Sequence, residues 1–257
     1  MINFVLLNPI INPILSIMKK LLLIIVFFSL SATIQAQGSG VFFDLTNVFL
    51  KKYVDANNKI NYQELKGNSD MLNLIMDYAG KMNLKNESKE TSKAFWINIY
   101  NLAVIKNVVD NYPIKSTMDI PGFFNENDFL IANQRLTLDD IEHTILREIF
   151  LDPGIHFVLV SGSNGGVQIK NEAFMPKDID AQIKAETTKF INNKNIIIID
   201  KKTKIVELPK IFEWYTKDFV TFYTNEIDFL NIFLEKKIEK DYKVKIYEYD
   251  WTLNKKV

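Results

Sequence analysis

The sequence predicts an α+β domain in which several helices pack on a small, mainly antiparallel sheet. Three observations carry that expectation. Apolar residues recur at helical spacing through most of the chain, in segments separated by turn residues. Strand-like runs are short and joined by tight turns, as in "NIIIID", "KKTK" and "IVEL". The order mixes helices with hairpin strands, unlike the regular alternation of a doubly wound parallel sheet.

The totals bound the rest. Of 257 residues, 47% are hydrophobic, which suits a globular core, and 31 basic residues cancel 31 acidic ones. Without a global field, nucleic acid is not an expected partner. The absence of cysteine excludes disulfides, thiolate metal sites and a cysteine nucleophile. With two histidines, a zinc site would need both plus carboxylates, so neither metal nor cofactor is expected.

Residues 1–36 read as a signal peptide. Lys19 and Lys20 precede the apolar run Leu21 to Leu30, and "IQAQ" offers cleavage after Ala36. Met18 is the natural start, since "MKKLLLIIVFFSLSATIQA" is a complete signal. An uncleaved anchor using residues 3–17 is the other reading. The mature chain, 37–257, is expected to be exported, periplasmic or extracellular, with no membrane span. No linker or repeat divides residues 41–253, so one domain is expected.

Helical spacing at Phe42, Leu45, Val48 and Phe49 predicts the first helix. "DANNKINYQEL" superficially resembles a calcium loop, but lysine at its fifth position and isoleucine in place of glycine defeat that reading. It reads as a turn with an extended piece around Ile60 and Tyr62. "SDMLNLIMDYAGKM" predicts a second helix. "TSKAFWINIYNLAVIKNVVDNYP" predicts a central, buried one, with Ser92 able to cap it and Pro113 ending it. Asn98 and Asn101 lie one turn apart inside it; each buried amide must bond backbone or orient something in a cleft.

"LTLDDIEHTILREIF" predicts a helix with a Thr137/Asp140 capping box and a core stripe of Leu138, Ile141, Ile145 and Ile149. Asp139, His143 and Arg147 fall at four-residue steps, either a solvated charge ladder or a histidine held by a carboxylate. After "LDPG", "IHFVLV" reads as a buried strand. A helix from Pro176 places Ile179, Ile183 and Phe190 inward. The hairpin, two aromatic-faced helices ("PKIFEWYTKDF", "EIDFLNIFLEKKI") and a closing strand in "YKVKIYEYDW" follow.

The strand reading has consequences. His156 and Ser161 would point to opposite faces with backbones about 16 Å apart, which rules out that pairing. An antiparallel return would bring Ser161 level with the start of the preceding helix, leaving His143 as the available base. The loop "SGSNGG" is either a plain turn or a set of N–H groups for an anion, and it lacks P-loop, dinucleotide and G-x-S-x-G spacing.

Taken together, "KAFWINIYNLAVIKNVVDNYP", "LTLDDIEHTILR", "IHFVLVSGS", "NEAF", "LPKIFEWYTKDF" and "YEYDWTLN" resemble the domain of unknown function 547 family, over about residues 46 to 254. The resemblance implies a scaffold containing Asn98, Asn101, Glu142, His143, Arg147 and His156. It also implies cysteine where Ser161 stands, and a second near Gly166, so this chain lacks those thiols.

Two functional readings follow. One is an exported, non-catalytic binding or accessory protein that holds a small molecule or peptide beside Asn98, Asn101, His143 and the 161–166 loop. The other is a hydrolase or acyl transferase with Ser161 as nucleophile, His143 as base, Asp139 orienting it, and Gly162 or Ser163 amides receiving the oxyanion.

Overall fold

Helix α1, over residues 39–53, forms where apolar spacing predicts it, with Phe42 and Phe49 fully buried. The computed structural model describes residues 39–256, so the signal-peptide reading lies outside the described residues. From Phe42 onward the described residues form one compact unit. The architecture is α+β, as expected.

The frame is α4 (Lys89–Asn111), buried without a break from Lys93 to Ile105. Helices α2 (Tyr62–Gly67) and α3 (Asp70–Gly80), a π-helix (Asp140–Arg147) and α6 (Ile179–Ile191) all pack against it. A helix apolar on every side needs this many neighbours to leave water. Its cap is Ser88, not Ser92: the Ser88 hydroxyl accepts from Thr91 N at 3.1 Å, one turn earlier. Tyr62 likewise opens α2 instead of continuing an extended piece, because Asn61 accepts from Glu64 N and caps it.

The sheets are small. β1 (Phe129–Ile131) and β2 (Gln134–Leu136) form a hairpin that the apolar pattern did not indicate. β3 (Ile198–Asp200) and β4 (Ile205–Pro209) make the expected antiparallel hairpin. β5 (Lys243–Tyr247) adds to β4 in parallel, because the chain first crosses over through α7 (Ile211–Trp214), α8 (Thr216–Val220) and α9 (Glu226–Phe233).

Two departures shape the site. "IHFVLV" is not a strand: Pro153–Phe157 form a 3-10 turn and residues 158–160 run on irregularly. Asp152 caps the turn through Gly154 N, and Asn101 then supplies the bonds that a neighbouring strand would. Its side chain donates to Val158 O at 2.9 Å and accepts from Val160 N at 2.9 Å. A continuous apolar run is compatible with either conformation; a buried amide beside it decides.

The second departure is the π-helix. Its capping box is as expected, with Thr137 Oγ1 accepting from Asp140 N and the Asp140 carboxylate accepting from Thr137 N. The wider π turn then shifts the buried face. Leu138 and Ile141 point inward as predicted, but Ile149 is 59% exposed while Glu142, Leu146 and Phe150 are buried. The register shift thus places a carboxylate inside. α5 (Glu148–Phe150) completes the segment.

Candidate functional site

A cavity of ≈ 440 Å³ opens where α4, the segment before β1, the π-helix, the 156–167 stretch, α7 and the C-terminal segment meet. Its size is in the range of small-molecule sites. Asp139, Glu142, His156 and Ser161 all line it. The expectation that His156 and Ser161 lie on opposite faces therefore fails, because the strand it required is absent.

His156 joins the cavity to a chain of ionic contacts outside its lining. Arg147 donates to Asp218 through Nε at 2.6 Å and Nη2 at 2.8 Å, and His156 Nε2 lies 2.8 Å from Asp218 Oδ2. The Arg147 guanidinium, aided by His156, holds the Asp218 carboxyl well below the usual carboxylate range. An ionised carboxylate only accepts, so Nε2 carries the proton and donates. In the neutral ring this leaves Nδ1 as a bare acceptor, and Nδ1 has no hydrogen-bond partner although His156 is 2% exposed. Glu142 Oε1 stands 3.8 Å from it, too far for a hydrogen bond.

Two phenols belong to the lining as well. Tyr100 donates to Glu142 Oε2 at 3.2 Å, and the Tyr215 ring stacks on His156 at 3.8 Å between centroids. Burial, and then the nearby Glu142 charge, pushes both hydroxyls far above the ordinary phenol value, so they remain protonated donors. One wall is aromatic: Tyr249 lies 4.9 Å from Trp214 and 4.5 Å from Trp251.

Ser161 sits in a cluster of hydroxyls. Its Oγ is 2.6 Å from both Ser163 Oγ and Tyr249 OH. The loop beyond is tied to the C-terminal segment, with Asn164 N donating to Thr252 O and Gly165 N to Asp250 O, each at 2.8 Å. Gly162 and Ser163 are not in the cavity lining. Gly166 closes the cluster: a Cβ there would lie 2.2 Å from Tyr249 OH and 2.6 Å from Ser161 Oγ. Gly166→Ala is expected to displace the Tyr249 hydroxyl and destabilise the fold by about 1–3 kcal/mol in urea unfolding. A neutral result would mean that the cluster yields freely.

The other predicted residues lie outside the lining. His143 is half-buried, its Nδ1 2.7 Å from Arg147 Nη1 and its Nε2 3.8 Å from Asp139. Asn101 holds residues 158–160, while Asn98 donates to Ala94 O at 2.8 Å and Phe174 O at 2.7 Å and accepts from Phe174 N at 3.0 Å. Both asparagines thus bond backbone. Asp218, Tyr215, Tyr249 and the two tryptophans were missed as site residues; the only signal was their place in "WYTKDF" and "YEYDW". Among the described residues, no group of three or more His, Asp or Glu side chains could hold a metal ion, and no helix is long and apolar enough to cross a membrane.

Residues 84–191 match the family described as "Protein of unknown function, DUF547". This match supports a DUF547-family protein. The match spans Asn98 through the 161–166 loop, so it contains Asp139, Glu142, His156 and Ser161 of the cavity, while Asp218 and the aromatic wall lie beyond it. No curated protein and no solved structure matches the chain.

Proposed function

We propose that this protein is exported and acts by binding, holding a small molecule or a peptide side chain in its cavity without catalysis. One observation supports the reading above others. The Ser161 hydroxyl, the nucleophile that an enzyme would need, is engaged by two other hydroxyls at 2.6 Å, with a cavity of ligand size beside it. A serine needs a positioned base to react.

A ligand screen by thermal shift tests the proposal, since a specific binder raises the melting point by mass action, about 2.7 kcal/mol at a hundredfold excess over Kd. Hits are expected to lose their effect in Met118→Trp, which places a bulky ring at an exposed position lining the cavity. Hits indifferent to that change would move the site elsewhere.

The hydrolase or acyl-transferase reading has one observation in its favour. The imidazole sharing Ser161's cavity is that of His156, which a carboxylate orients through Nε2. An electrophilic serine probe separates the readings. Binding alone predicts equal labelling of wild type and Ser161→Ala; labelling lost in Ser161→Ala would establish a reactive serine and overturn the non-catalytic proposal.

A further inference from the structure

The cavity has a charge imbalance that its own residues leave open. Asp139 and Glu142 both line it, three residues apart on one helix, and no lysine or arginine does. Arg147, the nearby cation, is committed to Asp218 by two hydrogen bonds. Glu142 accepts from Tyr100, and the Arg147 charge that acts on it is hydrogen-bonded to Asp218 instead. Burial raises the Asp139 carboxyl against the opposing pull of His143, and the Glu142 charge raises it further.

A second, independent feature is the His156 ring. Its Nδ1 has no hydrogen-bond partner and faces Glu142 Oε1 across 3.8 Å, on a residue 2% exposed. A buried polar atom without a partner is costly, so the gap calls for one. Tyr215, Trp214, Tyr249 and Trp251 line the same cavity, and aromatic faces attract cations as well as apolar groups. A metal ion is a poor occupant, because no group of three ligating side chains is arranged for it among the described residues.

Resting on the binding reading above, we infer that the cavity selects an organic ammonium ion with an apolar or aromatic body. Its N–H groups donate to Glu142, Asp139 and the His156 Nδ1 lone pair, and its body lies along the Trp214–Tyr249–Trp251 wall. A free amine and the amino terminus of a peptide share this chemistry.

The test uses the full chain near neutral pH and reads the fluorescence of Trp214 and Trp251 together with calorimetry. The probes are 2-phenylethylamine, 2-phenylethanol and 3-phenylpropionate, which share a ring and differ in charge. The amine is expected to bind at least about tenfold tighter than the alcohol, and the carboxylate more weakly still. Asp139→Asn and Glu142→Gln should each weaken the amine about tenfold or more while leaving the alcohol unchanged. Asp139, with a side chain 41% exposed, serves if the buried Glu142 variant fails to fold. The peptide Phe-Gly-Gly with a free or an acetylated amino terminus separates the two sources: binding of the free form as tight as the amine points to peptides, and its failure to bind points to small amines.

Equal binding of amine and alcohol, or indifference to both charge changes, overturns the ammonium assignment and leaves the binding reading intact. No response to any probe also overturns it, and the thermal-shift screen then decides the binding reading separately. Nitrogen NMR of His156 in the free protein gives a further check: protons on both ring nitrogens would fill the gap from within, and the assignment would fall.

Discussion

Asp218→Ala is expected to destabilise the protein by about 2–4 kcal/mol, because it strands two donors at once. The Arg147 guanidinium loses its bidentate acceptor and His156 Nε2 loses the carboxylate 2.8 Å away. The figure is set below the roughly 3–5 kcal/mol of a fully buried broken pair, since the side chains of Arg147 and Asp218 are 27% and 25% exposed and water reaches them. The pH dependence has a definite sign. Arg147 lowers the folded-state carboxyl below its unfolded value of roughly 3.9, so the stabilisation is present above that pH and is lost as pH falls toward the folded value. Urea midpoints of wild type and Asp218→Asn, followed from neutral pH into acid, should therefore converge below about pH 4. Parallel curves would show that the ion pair contributes nothing to acid sensitivity.

Asn101→Ala should cost about 2–6 kcal/mol, since it orphans one buried donor and one buried acceptor, each worth roughly 1–3 kcal/mol. The donor is Val160 N and the acceptor Val158 O, in a stretch without strand neighbours to take them over. Release of residues 158–160 should also loosen the cavity edge formed by Leu159, Val160 and Ser161. Chemical denaturation gives the first effect and amide hydrogen exchange at 158–161 the second. A loss under about 1 kcal/mol would mean that water replaces the amide, and the role of Asn101 in shaping the site would be withdrawn.

Much of the scaffold was legible in the sequence because it depends on short-range pattern. The all-round apolar character of the 93–105 stretch specifies a central helix, Pro113 ends it, and "NIIIID", "KKTK" and "IVEL" specify a hairpin. The Thr137/Asp140 capping box is a contact within one turn and was equally readable. The ordered motifs were enough to indicate the family, and composition excluded thiol chemistry before any fold was known.

The tertiary structure decided the site itself. His156 and Asp218 are 62 positions apart, and Ser161 and Tyr249 are 88, so no local periodicity links them. Spacing nominated His143 as the partner of Ser161, whereas folding placed His156 in that cavity and paired His143 with Arg147. The strand expected at 155–160 became a 3-10 turn because an asparagine from another element satisfied its backbone. The carboxylate of Glu142 went inside because a π turn rotated the helix. An apolar run reports that a segment is buried; its conformation and register depend on which distant groups meet its hydrogen bonds.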